Sequence, residues 1–304
     1  MQTLQQGSNG ADVIAWQTFL NSQGLNVGTV DGDFGPATEA ETQQFQNANG
    51  LTADGIVGPD TLAAAVAAGF ALPAPVSFPG FDVASYPGDA AMQDWKNNSP
   101  YVWCGYYFVA PCHTTTFAPF SGKRATLVGQ GWNVVAIYVG QQQADANVCG
   151  QNVLTAAQAA ADGADAAGKA ALDGFPNGSM IFLDVEPVDV VSDGLSTYVS
   201  GFSSALIADA RYLPGVYCHR KNAAVLMPLV ANAYPAGGTQ QPRFWITGGP
   251  NATGLNHVPS ESGIAQATMW QMPPLDVNAT FGATQMNQID NNVSLIGDPS
   301  SPQI

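Results

Sequence analysis

A chain of 304 residues, 46% of them hydrophobic and only 10% charged, is too apolar for disorder and long enough for one large domain plus a small module. Its formal net charge is −15, from eight Lys+Arg against 23 Asp+Glu, which excludes nucleic acid and anionic membrane as partners because both need a basic footprint. No apolar run reaches the ~18–20 residues of a bilayer span, and no basic segment followed by an apolar one opens the chain, so membrane insertion is not expected and no signal peptide is visible.

Residues 1–70 carry an internal repeat. Asp31-Gly32-Asp33-Phe34-Gly35-Pro36-Ala37-Thr38 returns as Asp54-Gly55-Ile56-Val57-Gly58-Pro59-Asp60-Thr61. Asp-Gly sets a tight turn, Gly-Pro sets a second, and the residues after Pro begin a helix. Apolar spacing at Ala40 and Phe45, and again at Leu62, Ala65 and Val66, continues each helix. An earlier helix is marked by Val13, Trp16, Phe19 and Leu20. The expectation is a small all-α three-helix bundle over 1–70. Pro73, Pro75 and Pro79 then stiffen a linker over 71–79.

From Gly80 to residue 304, strand-like and helix-like stretches alternate. The strand candidates are Phe81–Ser85, Tyr101–Val109, Val134–Gly140, Met180–Glu186, Gly215–His219, Phe244–Thr247, Thr268–Met272 and Gln288–Val293. The clearest helices lie at 151–173, 195–211 and 221–232. This alternation predicts an α/β (β/α)8 TIM-like barrel, with degraded helices in its last third.

In such a barrel the site lies at the C-terminal ends of the strands. The fourth strand is the most informative. Its apolar run Met180-Ile181-Phe182-Leu183 enters Asp184-Val185-Glu186, and Pro187 stops the ladder. A period of two points Asp184 and Glu186 to one face. Burial and a like-charge neighbour raise a carboxyl pKa, so one acid can stay protonated while another is ionised. The same rule gathers Asp82, Tyr107, Tyr138, Tyr217, Trp245, Trp270, Gln271 and Asp290 at strand ends. Acids among aromatics suit a sugar, and glycoside hydrolysis needs two carboxyls around an oxocarbenium-like transition state.

The remaining polar residues suggest no other chemistry. His113, His219 and His257 are isolated, so no metal and no cofactor is expected. Cys218 and His219 face opposite ways on a strand and cannot form a nucleophile–base pair. Asp162, Asp165 and Asp173 read as the solvated face of an Ala-rich helix. Cys112–Cys149 is the favoured disulfide, with Cys104 and Cys218 as buried thiols.

Two resemblances add to this. Gly7-Ser8-Asn9-Gly10, Trp16-Gln17, Asp33-Phe34-Gly35, Phe45-Gln46, Gly50-Leu51 and Asp54-Gly55-Ile56-Val57-Gly58-Pro59 resemble the peptidoglycan-binding domain of cell-wall hydrolases. That likeness implies a wall-targeting module and peptidoglycan glycan strands as partner. Gly80-Phe81-Asp82, Gly105-Tyr106-Tyr107, Gly131-Trp132, Ile137-Tyr138-Val139-Gly140, Asp162-Gly163-Ala164-Asp165-Ala166 and Ile181-Phe182-Leu183-Asp184-Val185-Glu186 resemble a bacterial glycoside-hydrolase-like family. Trp270-Gln271 and Asp290-Asn291-Asn292 extend the likeness, more distantly, to family 25 lysozymes. Those usually carry a His where Tyr107 stands. The resemblance implies that Glu186 is the general acid of a muramidase cleaving β-1,4 links, with Asp82 and Asp184 as ionised partners that stabilise charge. A monomer acting at the bacterial wall is expected, delivered by phage-type release, by a secretion machine or as a processed secreted form. A catalytically silent wall-binding protein and a glycosidase for another bacterial polysaccharide stay open as alternatives.

Overall fold

The computed structural model describes residues 3–70, 77–108, 117–144 and 152–303. The chain divides into two compact units, Met1–Pro75 and Val76–Ile304. Cys112, Cys149 and His113 lie outside the described residues, and with them the favoured disulfide.

In the first unit, α1 (Ala11–Ser22), α2 (Pro36–Ala48) and α3 (Pro59–Ala67) enclose a core of Trp16, Phe19, Phe45 and Phe70. Pro36 and Pro59 sit at helix starts, where a missing N–H costs nothing. The repeat has a common anchor. Gln17 Nε2 donates to Asp31 Oδ1, the Asp33 carbonyl and Thr38 Oγ1, while its Oε1 accepts the Gly32 N–H. Gln46 does the same one repeat later, donating to Asp54 Oδ1, the Ile56 carbonyl and Thr61 Oγ1 and accepting from Gly55 N–H. Each Asp-Gly turn is thus wrapped round a buried glutamine. The left-handed φ of Gly32 (80°) and Gly55 (74°) is what lets the N–H turn inward.

The second unit is a closed barrel. Strands β1 (Phe78–Asp82), β2 (Trp103–Tyr107), β3 (Asn133–Val139), β4 (Met180–Val185), β5 (Leu213–His219), β6 (Phe244–Thr247) and β7 (Met269–Gln271) run parallel in chain order. Helices α4 (Asp89–Asn98), α5 (Arg124–Gly129), α6 (Ala156–Leu172), α7 (Asp193–Asp209) and α8 (Arg220–Ala231) cover the outside between β1 and β6. Strand β1 starts at Phe78, inside the stretch read as linker.

The alternation fails in the last third. Only a 3-10 turn, Pro259–Ser262, lies between β6 and β7 among the described residues. The chain then forms a hairpin of β8 (Val277–Phe281) and β9 (Thr284–Ser294), and β9 closes the barrel antiparallel to both β7 and β1. The eighth barrel strand is therefore longer than read and reversed in direction, because a hairpin rather than a helical crossover brings it back.

Trp103, Val135, Ile137, Met180, Phe182, Leu213, Trp245 and Met269 fill the interior. A Cβ on Gly80 would fall 2.1 Å from the Trp103 ring, so this position needs glycine. Cys104 and Cys218 are free, buried thiols between sheet and helices. Asp162, Asp165 and Asp173 are not merely a solvated face. They accept the hydroxyls of Tyr198 on α7 (2.6 Å), Tyr138 on β3 (2.9 Å) and Tyr106 on β2 (2.8 Å), pinning α6 to its neighbouring helix and to the sheet, and the turn after it to β2. No helix among the described residues is long and apolar enough to cross a membrane.

Candidate active site

Strand ends converge on a cavity of about 80 Å³. Asp82 enters from β1, Tyr107 from β2, Ile137 from β3, Asp184 and Glu186 from β4 and just beyond it, Tyr217 from β5, Trp245 from β6, Gln271 from β7 and Asp290 from β9. A Cβ on Gly105 would lie 2.6 Å from that of Asp82, so this glycine makes room for the acid beside it.

Asp82 is 3% exposed and surrounded by donors. Tyr107 Oη donates to its Oδ2 at 2.8 Å; Asn292 Nδ2 and Gln271 Nε2 donate to its Oδ1 at 2.7 and 3.4 Å. Those donors are themselves held. Trp245 Nε1 donates to Asn292 Oδ1 at 2.9 Å, and an indole N–H can only donate, so the Asn292 amide must turn its N–H toward Asp82. Tyr217 Oη donates to Gln271 Oε1 at 2.6 Å, and Gln271 Nε2 also reaches Asp290 Oδ2 at 2.8 Å. The Asp276 N–H donates to Asp290 Oδ1.

Burial pushes the Asp82 carboxyl up to about 6, against the opposing pull of Asn292, Tyr107 and Gln271. Asp290 rises to about 8, first through burial and then through the charge of Asp82. Asp184 is 5% exposed, and its Oδ1 has no hydrogen-bond partner among the described residues. Burial, then Glu186, then Asp82 drive it well above the usual carboxyl range. Asp184 is expected as an ionised partner, and its burial beside Glu186 and Asp82 favours the neutral form. Glu186 stands half-buried, raised by burial and by Asp82. Burial holds the Tyr107 and Tyr217 phenols well above their ordinary range, so both remain donors. Among the described residues, no group of three or more His, Cys, Asp or Glu is arranged to hold a metal ion.

Tyr138 and Trp270 stand outside this cavity. Ile137 and Gln271 point inward, so their strand neighbours must point outward. Tyr138 faces α6, with its hydroxyl on Asp165. Trp270 packs with Met272 and Val293 and donates to the Gly248 carbonyl at 2.8 Å. His219 Nδ1 accepts the Lys221 N–H at the start of α8, a capping role. Asn292, which the sequence offers only through the Asp290-Asn291-Asn292 likeness, lies two residues from Asp290 on the same strand face and orients Asp82.

Residues 93–294 match the family model described as the Rv2525c-like, glycoside hydrolase-like domain, and residues 9–65 match that of a peptidoglycan binding domain. Among curated proteins, the zinc D-Ala-D-Ala carboxypeptidase of Streptomyces albus G is 47% identical over 62 residues, 19% of this chain and 24% of that protein. The spore cortex-lytic enzyme of Bacillus cereus is 42% identical over 60 residues, 20% of this chain and 23% of that protein. The chain thus spans about a quarter of the length of these relatives. A crystal structure of an uncharacterized B. stearothermophilus protein matches 73% of this chain and 99% of its own length, with a TM-score of 0.52 and 17% identity, a likeness of fold.

Proposed function

The chain belongs to the Rv2525c-like, glycoside hydrolase-like family and joins that domain to a peptidoglycan binding domain, and on this premise we propose that it is a cell-wall glycan hydrolase of the muramidase type. One observation carries the reading: four carboxyls, Asp82, Asp184, Glu186 and Asp290, line one small cavity at the strand ends in markedly different environments. Divergent environments are how acid and base roles are divided between like groups.

Glu186, raised and partly open to solvent, is the general acid. It gives its proton to the glycosidic oxygen as the C–O bond breaks. Asp82, held by three donors, is the anion that stabilises the oxocarbenium-like charge. Asp184, kept neutral, offers its O–H to a substituent of the sugar. Water completes the reaction by giving its hydroxyl to the anomeric carbon and its proton to the carboxylate left on Glu186. The cavity of about 80 Å³ has room for several waters at the strand ends, and on this reading the glycan lies across its mouth. On this reading the helical unit binds the wall, the activity lies at the bacterial cell wall, and the protein acts as a monomer.

The test is release of new reducing ends from purified walls. Glu186→Gln should lose roughly 10²–10⁴-fold in kcat while still sedimenting with walls. Full activity in that variant overturns the assignment. Wild-type protein that binds walls but releases no reducing ends is a silent binder, and products without muramic acid at the reducing end move the substrate to another glycan.

A further inference from the structure

We propose that Gln142 is a positioning residue for the acid pair: its side-chain amide replaces a missing strand and fixes the Asp184–Glu186 backbone so that both carboxyls face the cavity. The β3–β4 ladder ends at Val139 opposite Asp184. Beyond that point β3 has left the sheet, while the reacting segment of β4 runs on. Gln142 is 1% exposed and fills the gap. Its Nε2 donates to the Asp184 carbonyl at 2.8 Å, and its Oε1 accepts the Glu186 N–H at 3.0 Å. These are the two groups flanking Val185 that a residue on a neighbouring parallel strand would engage. One side-chain amide therefore adds a rung to the ladder on the side that β3 abandoned. On the other side, β5 still pairs Val185 with Cys218.

The neighbours of Gln142 extend the pattern. Gln143 Nε2 donates to the Val190 carbonyl, and its Oε1 accepts the Ser192 N–H, flanking Val191 in the same manner. Asn222, from α8, accepts the Val188 N–H and donates to the Val188 carbonyl. Side-chain amides thus grip the chain at successive points from Asp184 to Ser192. Gln142 is the grip that touches both acids' own backbone. Loss of it frees the Glu186 N–H and lets Pro187 and the loop draw the carboxyl away from its neighbours.

The effect on turnover rests on the hydrolase reading; the effect on the Glu186 carboxyl does not. Gln142→Met keeps length and apolar volume and deletes the amide. In it kcat on wall glycan should fall about 10- to 100-fold with KM within about twofold, because the loss is one of orientation rather than binding. The Glu186 carboxyl, followed by carbon-13 NMR, should titrate lower and closer to an ordinary glutamate, and its amide should exchange faster. Gln142→Glu supplies the independent check. A protonated glutamic acid both donates and accepts and so mimics the amide, whereas its carboxylate cannot donate to the Asp184 carbonyl. Relative to wild type at the same pH, its activity should recover as pH falls, and so should the protection of the Glu186 amide once the intrinsic slowing of exchange in acid is divided out. A folded Gln142→Met with wild-type turnover and Glu186 titration overturns the proposal, as does a Gln142→Glu whose Glu186 amide exchange shows no such acid recovery. A wild-type protein that cleaves no glycan removes the hydrolase reading, and the titration and exchange measurements still decide the role of Gln142.

Discussion

Gln17 in the helical unit and Asp184 in the barrel are both buried polar side chains, 1% and 5% exposed. Gln17 donates three times and accepts once, and Gln46 repeats the pattern. Asp184 leaves Oδ1 without a partner and has other acids as neighbours. Desolvation is costly unless hydrogen bonds replace the lost water. The helical unit replaces them fully and obtains two rigid turns. The barrel leaves part of that cost standing at one end, where a ligand can supply the missing partner. The contrast separates a structural role for Gln17, whose bonds are all made, from a place at the candidate site for Asp184, whose Oδ1 is left free to meet a ligand.

The sharpest break in this contrast lies at Asp82. Asp82→Asn keeps the shape and removes the anion that three donors surround. On the proposed mechanism kcat should fall on the order of 10²–10³-fold, with wall binding unchanged. An unaltered rate would mean that the donors hold Asp82 for structure alone.

Gln17→Leu attacks the other side of the comparison. It strands the Gly32 N–H and removes partners from Asp31 and Thr38. Two buried groups, the Gly32 N–H and the Thr38 hydroxyl, lose a bond together, so the helical unit should lose about 3 kcal/mol. Denaturant unfolding followed through the buried Trp16 reads this, and Gln46→Leu should match it. A loss confined to one repeat would show that the two anchors are not equivalent.

A third effect concerns pH. A carboxyl raised in the fold favours the folded state below its unfolded pKa, near 3.9, and that advantage disappears as pH rises through the folded value. For Asp290 the window runs from about 4 to about 8. Barrel stability should decline across it. Asp290→Asn removes the titration, so its Tm should exceed that of wild type at pH 8 by ~2–4 °C, for a gain of about 1 kcal/mol, and the gap should close toward pH 4. A difference constant with pH would exclude ionisation as its cause.

Much of this architecture is legible in the residues. Apolar runs located the parallel strands because buried strands need them, and Asp-Gly with Gly-Pro located the turns of the helical unit. Strand direction is less legible. The Thr284–Ser294 segment is largely polar, and nothing in its composition distinguishes a hairpin return from a helical crossover. Asp82, Asp184 and Glu186 stand out as charges after apolar runs, whereas Asp290 sits in a polar strand. The amides that hold them did not: Gln142 lies in a polar run after β3, and its partners lie on β4 and just beyond it, so neither periodicity nor spacing joins them. The same is true of Gln17, whose role depends on a turn folding back onto α1.

The smallest effect tests parity. Tyr138 and Trp270 end strands and are aromatic, and on those grounds both belong with the sugar-binding groups. The pleat sends them the other way, since Ile137 and Gln271 occupy the inward positions. Tyr138→Phe removes only the hydroxyl that reaches Asp165. It should cost about 1 kcal/mol of barrel stability and leave kcat and KM within about twofold of wild type. Tyr107→Phe, which removes an equally small group from the inward face and takes a donor from Asp82, should lower kcat. Two tyrosines on adjacent strands, each stripped of one oxygen, thus separate a contact that holds the barrel together from one that serves its mouth; equal kinetic losses in the pair would break the distinction between the two faces.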